Sequence, residues 1–233
     1  MKIAIMQPYI FPYIGYFQLV NAVDVFVFYD DVNFIKRGWI NRNQILVNNE
    51  AILFSVPLKK VSQNKLIKEI ELGYDDKWLK QFFATLEFNY KKAPFYEETL
   101  QLVKDVFETD HLTIADMAVD SIKKIANHIG LSTVFEKSSV AYPQTKGMDK
   151  ADRLIEISKL RKAETYINPA GGKELYNKKY FKAYDIDLFF IQNKIVPYLQ
   201  FDANFVPGLS IIDVMMFNSK EEVLKMLDLY QII

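Results

Sequence analysis

The sequence contains no cysteine. Disulfides, thiolate nucleophiles, iron–sulfur ligation and zinc–thiolate sites are thereby excluded. A cysteine-free chain suits a reducing compartment, so a cytoplasmic location is the expectation. Histidine is scarce: only His111 and His128 occur. Their spacing suggests neither a metal pair nor a Ser–His–Asp arrangement, and both are expected at the surface of a helical layer. Net charge is also missing, with 29 basic residues against 29 acidic ones. A general nucleic-acid binder needs a basic surface for phosphates, so that class is set aside, while a local basic pocket is not. No apolar run approaches the roughly 20 residues of a membrane span. The run 3–6 is too short for the apolar region of a signal peptide, so no leader is expected. Repeats, low-complexity tracts and linkers are lacking as well.

Half of the 233 residues are hydrophobic and 15% are aromatic. That is enough for one sizeable core, and residues 1–233 read as a single domain. The most informative stretch is the first seventeen residues. The run 3–6 predicts a buried strand. Gln7, Pro8, Tyr9, Phe11, Pro12 and Tyr13 are then packed into seven residues. Each proline fixes its own φ and restricts the residue before it, so the loop is stiff. Gly15 opens an apolar, helix-like stretch to residue 23. In α/β folds such a loop lies outside the carboxyl ends of the strands, where ligands bind.

Residues 24–29 (D-V-F-V-F-Y) predict a second strand. Its apolarity is continuous rather than alternating, as in a parallel sheet covered on both faces. Residues 44–47 and 51–58 flank Asn48-Asn49-Glu50 and predict a β-hairpin. Helical periodicity governs 75–130, with Asp110 expected to cap the last helix and Gly130 to end it. Strands are expected at 133–135, 165–167 and 188–191. Helices are expected at 149–161, 173–184, 211–217 and 220–229, with Ser210 and Ser219 as caps. The fold class is therefore α/β: a mostly parallel, Rossmann-like sheet with flanking helices, one β-hairpin and a helical layer at about 75–130.

Candidate chemistry sits at the strand ends. Asp30 and Asp31 follow the second strand and are the candidate catalytic residues, as a base or as ligands to sugar hydroxyls. Adjacent strand residues point to opposite faces, so one of the two is expected to face a site. A magnesium ion on these carboxylates stays open, because Mg²⁺ needs only one or two of them plus substrate phosphates. Cofactors are otherwise unassigned. Arg37, Asn41 and Arg42 lie in the densest basic and aromatic stretch, and arginine's planar fork matches phosphate or carboxylate. Asn168, Gly171, Gly172 and Lys173 follow a strand and precede a helix, a place suited to an anion. Ser210 and Asp213 read as a helix cap. The segments 7–16, 30–42, 168–173 and 207–213 are expected to share one pocket. Lys36, Arg37, Arg42 and Lys173 would give that pocket positive potential.

The run Gln7-Pro8-Tyr9-Ile10-Phe11-Pro12-Tyr13-Ile14-Gly15-Tyr16-Phe17 resembles the opening signature of the WbqC-like proteins. This bacterial family is named for a member encoded in an O-antigen gene cluster. Three later stretches are similar in family order: Tyr29-Asp30-Asp31-Val32-Asn33-Phe34 leading to Asn41-Arg42-Asn43; Thr165-Tyr166-Ile167-Asn168 leading to Gly171-Gly172-Lys173; and Pro207-Gly208-Leu209-Ser210-Ile211-Ile212-Asp213. The resemblance implies a link to surface-polysaccharide sugar biosynthesis. The reading is a transferase acting on a nucleotide-linked or amino sugar, with a nucleotide sugar or acyl donor as its small anionic substrate. The alternative is a non-catalytic nucleotide-sugar-binding or scaffold protein of the same pathway. Gln7, Pro8, Tyr9, Phe11, Tyr13, Gly15 and Tyr16 are then substrate-binding candidates. For Ser210 and Asp213 a site role is the alternative that the resemblance implies. A looser likeness to nucleotidyltransferase-type domains rests on layout alone: Tyr13-Ile14-Gly15-Tyr16 stands where those domains carry H-x-G-H. The oligomeric state is not legible.

Overall fold

The structure is a computed structural model that describes residues 1–201 and 204–233. Five parallel strands make its centre: β1 (Lys2–Met6), β2 (Val25–Phe28), β5 (Val134–Lys137), β6 (Thr165–Pro169) and β7 (Asp187–Asn193). The order is β5-β2-β1-β6-β7, with β8 (Tyr230–Ile232) added antiparallel at the far edge. Chain order runs one way from β1 through β2 to β5 and the other way from β6 to β7. The reversal makes the carboxyl ends of β1 and β6 a topological switch point. Val25–Phe28 is buried at every position, as a strand covered on both faces must be.

Helices cover both faces. On one side lie α1 (Ile14–Asn21), α2 (Asp76–Tyr90), α3 (Tyr96–Glu108), α4 (Ile114–Ile129), α8 (Ile211–Phe217) and α9 (Lys220–Leu227). On the other lie α6 (Lys150–Leu160) and α7 (Lys178–Lys182), packed on Ile3, Ile5, Val25, Val27 and Phe190. A one-turn helix, α5 (Ser138–Ala141), follows β5 directly. The hairpin of β3 (Arg42–Val47) and β4 (Glu50–Ser55) forms a separate two-stranded ribbon. Asn48 and Asn49 turn it with φ of 50° and 62°, the left-handed pair that a two-residue hairpin turn requires.

Several boundaries differ from the sequence reading. The cap of α4 is Thr113, which accepts from Asp116 N, and not Asp110. The chain stays extended to Thr113 because Leu72 N donates to Leu112 O and Ile114 N donates to Ile70 O. Gly130 ends that helix at φ 89°, where a Cβ is disfavoured. The helix expected over 173–184 is confined to Lys178–Lys182, because Asn177 caps it late by accepting from Lys179 N. Near the end of α6, Leu160 is 44% exposed, and β8 was not foreseen. The histidines are not free surface residues either. His111 Nε2 lies 3.1 Å from Asp120 and His128 Nε2 lies 3.5 Å from Glu98.

Candidate functional site

Asp30 and Asp31 stand just past β2, at the carboxyl end of the sheet, and both are buried. The two were expected on opposite faces, yet both carboxylates turn to one side. The strand stops at Phe28, so strict alternation no longer applies, and both carboxylates turn to the same hydroxyl. Ser138 Oγ lies 3.0 Å from Asp30 Oδ1 and 2.5 Å from Asp31 Oδ1. Ser139 adds its backbone N–H to Asp30 Oδ1 at 3.0 Å and its hydroxyl to Asp30 Oδ2 at 2.6 Å. Asp31 Oδ2 accepts from Arg153 Nη2 at 2.7 Å, and this ion pair is buried. The guanidinium also donates through Nε to Thr145 Oγ1 and lies 4.7 Å from the centre of the Tyr29 ring. Removing one partner of such a buried pair costs about 3–5 kcal/mol, since it strands a charge.

Ser138, Ser139, Arg153 and Thr145 were not singled out in the sequence, and Tyr29 appeared there only within a motif. One sequence signal pointed to Arg153 and none to the serines. Ser138-Ser139 directly follow a strand that runs to Lys137 rather than to residue 135. Arg153 sits four residues before the buried Ile157 on α6, which places a cation on an inward stripe.

Beside this cluster, across the switch point, lies the end of β6. Asn168 is nearly buried and its Oδ1 accepts from Tyr166 Oη at 3.1 Å. The Asn168 amide packs against Gly172, and the Tyr176 ring lies on the same side. Gly171 faces open space. Lys173 is exposed, and its N–H is spent on Ala170 O in a 3₁₀ turn. The Gly171-Gly172 turn therefore does not open a helix, and the expected anion site at a helix start is absent there. Tyr29 is held above its ordinary pKa chiefly by burial, with the Arg153 charge pulling the other way.

The Gln7–Tyr16 loop divides into two roles. Gln7, Tyr9 and Tyr13 are half-buried at the end of β1. Tyr9 Oη approaches Gln7 Oε1 at 3.5 Å, and burial, aided by Tyr13, pushes the Tyr9 phenol up to about 12. The Tyr13 ring folds back over Gly15 and its hydroxyl reaches Asn193 at 3.3 Å. Pro8, Phe11 and Tyr16 are buried. Phe11 packs on Phe107, and Tyr16 packs on Phe26 while donating to Gln7 O. Phe11 and Tyr16, expected among the substrate-binding residues, are instead taken up by core side chains.

Asn41, Arg42, Ser210 and Asp213 make structural contacts in this geometry, and Arg37 stands exposed at the rim. Asn41 ties the ribbon through Ser55 Oγ and Val56 O. Arg42 donates to Gly38 O at 2.7 Å and lies 5.8 Å from the Trp39 ring centre, while Arg37 is exposed at φ 60°. Ser210 caps α8 and donates to Phe11 O. Asp213 is fully buried and accepts from Tyr90 Oη (2.7 Å), Tyr198 Oη (2.5 Å) and Gln200 Nε2 (2.9 Å). Its carboxyl is raised by burial, with these bonds pulling it back down. It anchors the segment leading into α8 instead of lining the strand-end cluster.

For a divalent cation the donor set is a poor match. Asp31 turns to Arg153, whose charge already stands beside the carboxylate. Among the described residues no three His, Asp or Glu side chains gather to hold a metal ion, and no helix is long and apolar enough to cross a membrane.

A model described as the WbqC-like protein family matches residues 7–225. The chain is also 29% identical over 220 residues to the uncharacterized protein Rv1507c of Mycobacterium tuberculosis (strain ATCC 25618 / H37Rv), covering 93% of each chain. No solved structure matches.

Proposed function

The chain belongs to the WbqC-like protein family, and on that premise we propose that it is a transferase of bacterial surface-sugar biosynthesis acting on a nucleotide-linked or amino sugar. The ligand would lie over the switch point, between the ends of β2 and β6. Asp30 would serve as base, with the half-exposed Ser139 hydroxyl on its Oδ2 as the contact to substrate. Asp31 and Arg153 would position that pair. Gln7, Tyr9 and Asn168 would bind hydroxyls, and Arg37 and Lys173 would meet phosphate from the rim. The observation that carries this reading is the pair of buried carboxylates converging on Ser138 at the ligand-binding end of the sheet. Buried charge is costly unless it is paired and hydrogen-bonded, and Ser138, Ser139 and Arg153 supply those partners here.

A second reading is a non-catalytic nucleotide-sugar-binding protein of the same pathway. It is favoured by the closure of the network: all four carboxylate oxygens of Asp30 and Asp31 already have partners. A thermal-shift screen of nucleotide sugars, nucleotides and acyl-CoA donors tests both. A ligand at 100 times its dissociation constant adds about 2.7 kcal/mol of apparent stability. Asn168→Ala should weaken that binding by about 1–3 kcal/mol. Turnover that Asp30→Asn abolishes supports the transferase, and binding without turnover supports the second reading. Absence of any shift across the screen counts against both.

A further inference from the structure

The two edges of the β3–β4 ribbon are treated differently. Val47 and Glu50 close the two-residue turn, so Asn43, Ile45 and Val47 exchange bonds with Phe54, Ile52 and Glu50. The alternate residues point their backbone groups outward. On β3 these groups are covered: Gln44 O accepts from Ser210 N, and Leu46 N donates to Tyr90 Oη at 2.6 Å. On β4 the outward residues are Ala51, Leu53 and Ser55. None of their outward backbone groups has a hydrogen-bond partner among the described residues. Natural edges are blunted by lysine, proline, a bulge or a covering element. The strand Glu50–Ser55 has none of these, and Ile52 and Leu53 are each 44% exposed.

We propose that β4 pairs antiparallel with β4 of a second copy of this chain, joining two ribbons into one four-stranded sheet about a two-fold axis. Self-complementarity argues for this occupant. With Leu53 facing Leu53 on the axis, Ala51 faces Ser55 on both sides. Every outward residue then meets another outward residue, and all three pairs can exchange backbone bonds. The neighbouring register, with Ile52 on the axis, would pair Ser55 with Asn49, which the turn holds at φ 62°, and so loses the end pairs. The strand's single charge, Glu50, falls opposite Val56, so two copies bring no like charges together. Isologous pairing of this kind closes at two copies.

The absence of cysteine makes the test clean, since one introduced thiol is the only one present. The chain should be dimeric in the micromolar range by light scattering. Leu53→Cys should cross-link to a disulfide dimer under mild oxidation, because facing strand residues lie within disulfide reach. Leu112→Cys, more exposed still and away from the ribbon, should not. Leu53→Lys, which sets like charges on the axis, should give a monomer with an unchanged circular dichroism spectrum. A wild-type chain that stays monomeric at about 100 μM, far above a micromolar dissociation constant, overturns the proposal. So does a dimer in which Leu53→Cys fails to cross-link, or in which Ile52→Cys cross-links in its place.

Discussion

A Cβ built on Gly172 would meet Asn168 Nδ2 at 2.0 Å, while one on Gly171 meets nothing within 4 Å. Neither glycine has a positive φ, so close approach, and not backbone freedom, is what Gly172 supplies. The Asn168 amide cannot swing away freely, because Tyr166 holds its oxygen. Gly172→Ala should therefore cost about 1–3 kcal/mol, as overpacked sites do, and Gly171→Ala should stay within about 0.5 kcal/mol. Urea titration of the two variants checks this, and equal losses would remove the packing account. The same pair shows how far residues alone can be read. The sequence marked both glycines as one anion-binding turn, yet their roles differ because a side chain three or four positions upstream folds onto only one of them.

At the scale of elements, caps decide where helices begin. Thr113 accepts from Asp116 N at 3.2 Å and donates to Asp116 Oδ2 at 2.7 Å. Thr113→Ala should cost about 1 kcal/mol, the usual loss for a cap, whereas Asp110→Ala should leave thermal stability nearly unchanged. The reverse order of melting temperatures would return the cap to Asp110. The apolar stripe of α4 was legible, since Ala115, Val119, Ile122, Ala126 and Ile129 are all buried. Its start was not. A bridge between Glu71 and Thr113 draws the preceding residues into extended structure, and that partner lies far upstream in the chain. The end of β5 was misread for a similar reason. Glu136 and Lys137 are polar, yet they pair with Val27 and Phe28, so pairing carried the strand past the end of its apolar run.

The molecule as a whole is closed by Gln18, which is fully buried on α1. Its amide nitrogen lies within 3.2 Å of three carbonyls, those of Lys194, Met226 and Leu229. Its oxygen accepts from Asn193 at 2.9 Å. First helix, last parallel strand and final helix thus meet on one side chain. Gln18→Leu keeps the approximate volume but strips the Lys194 carbonyl of this donor and leaves Met226 O and Leu229 O with their backbone donors alone, at about 1–3 kcal/mol. Hydrogen exchange should show the loss as faster exchange at Lys194, Leu229 and Tyr230, whose amides lie in the tethered segments. Protection unchanged there, with stability unchanged, would make Gln18 a bystander.

The sequence by itself determined the class of the fold, the hairpin and the placing of Asp30 and Asp31 at a strand end. Each of these depends on local periodicity, on turn residues or on one apolar run, which are properties of consecutive residues. Tertiary structure alone decided which side chains those aspartates meet. Ser138 and Arg153 lie more than a hundred positions away and arrive only because β5 pairs beside β2 and α6 packs beneath. It also decided that Phe11 and Tyr16 belong to the core while Tyr9 and Tyr13 remain at the surface. A stiff aromatic loop has no period from which inside and outside could be told; the helices packed against it make that choice.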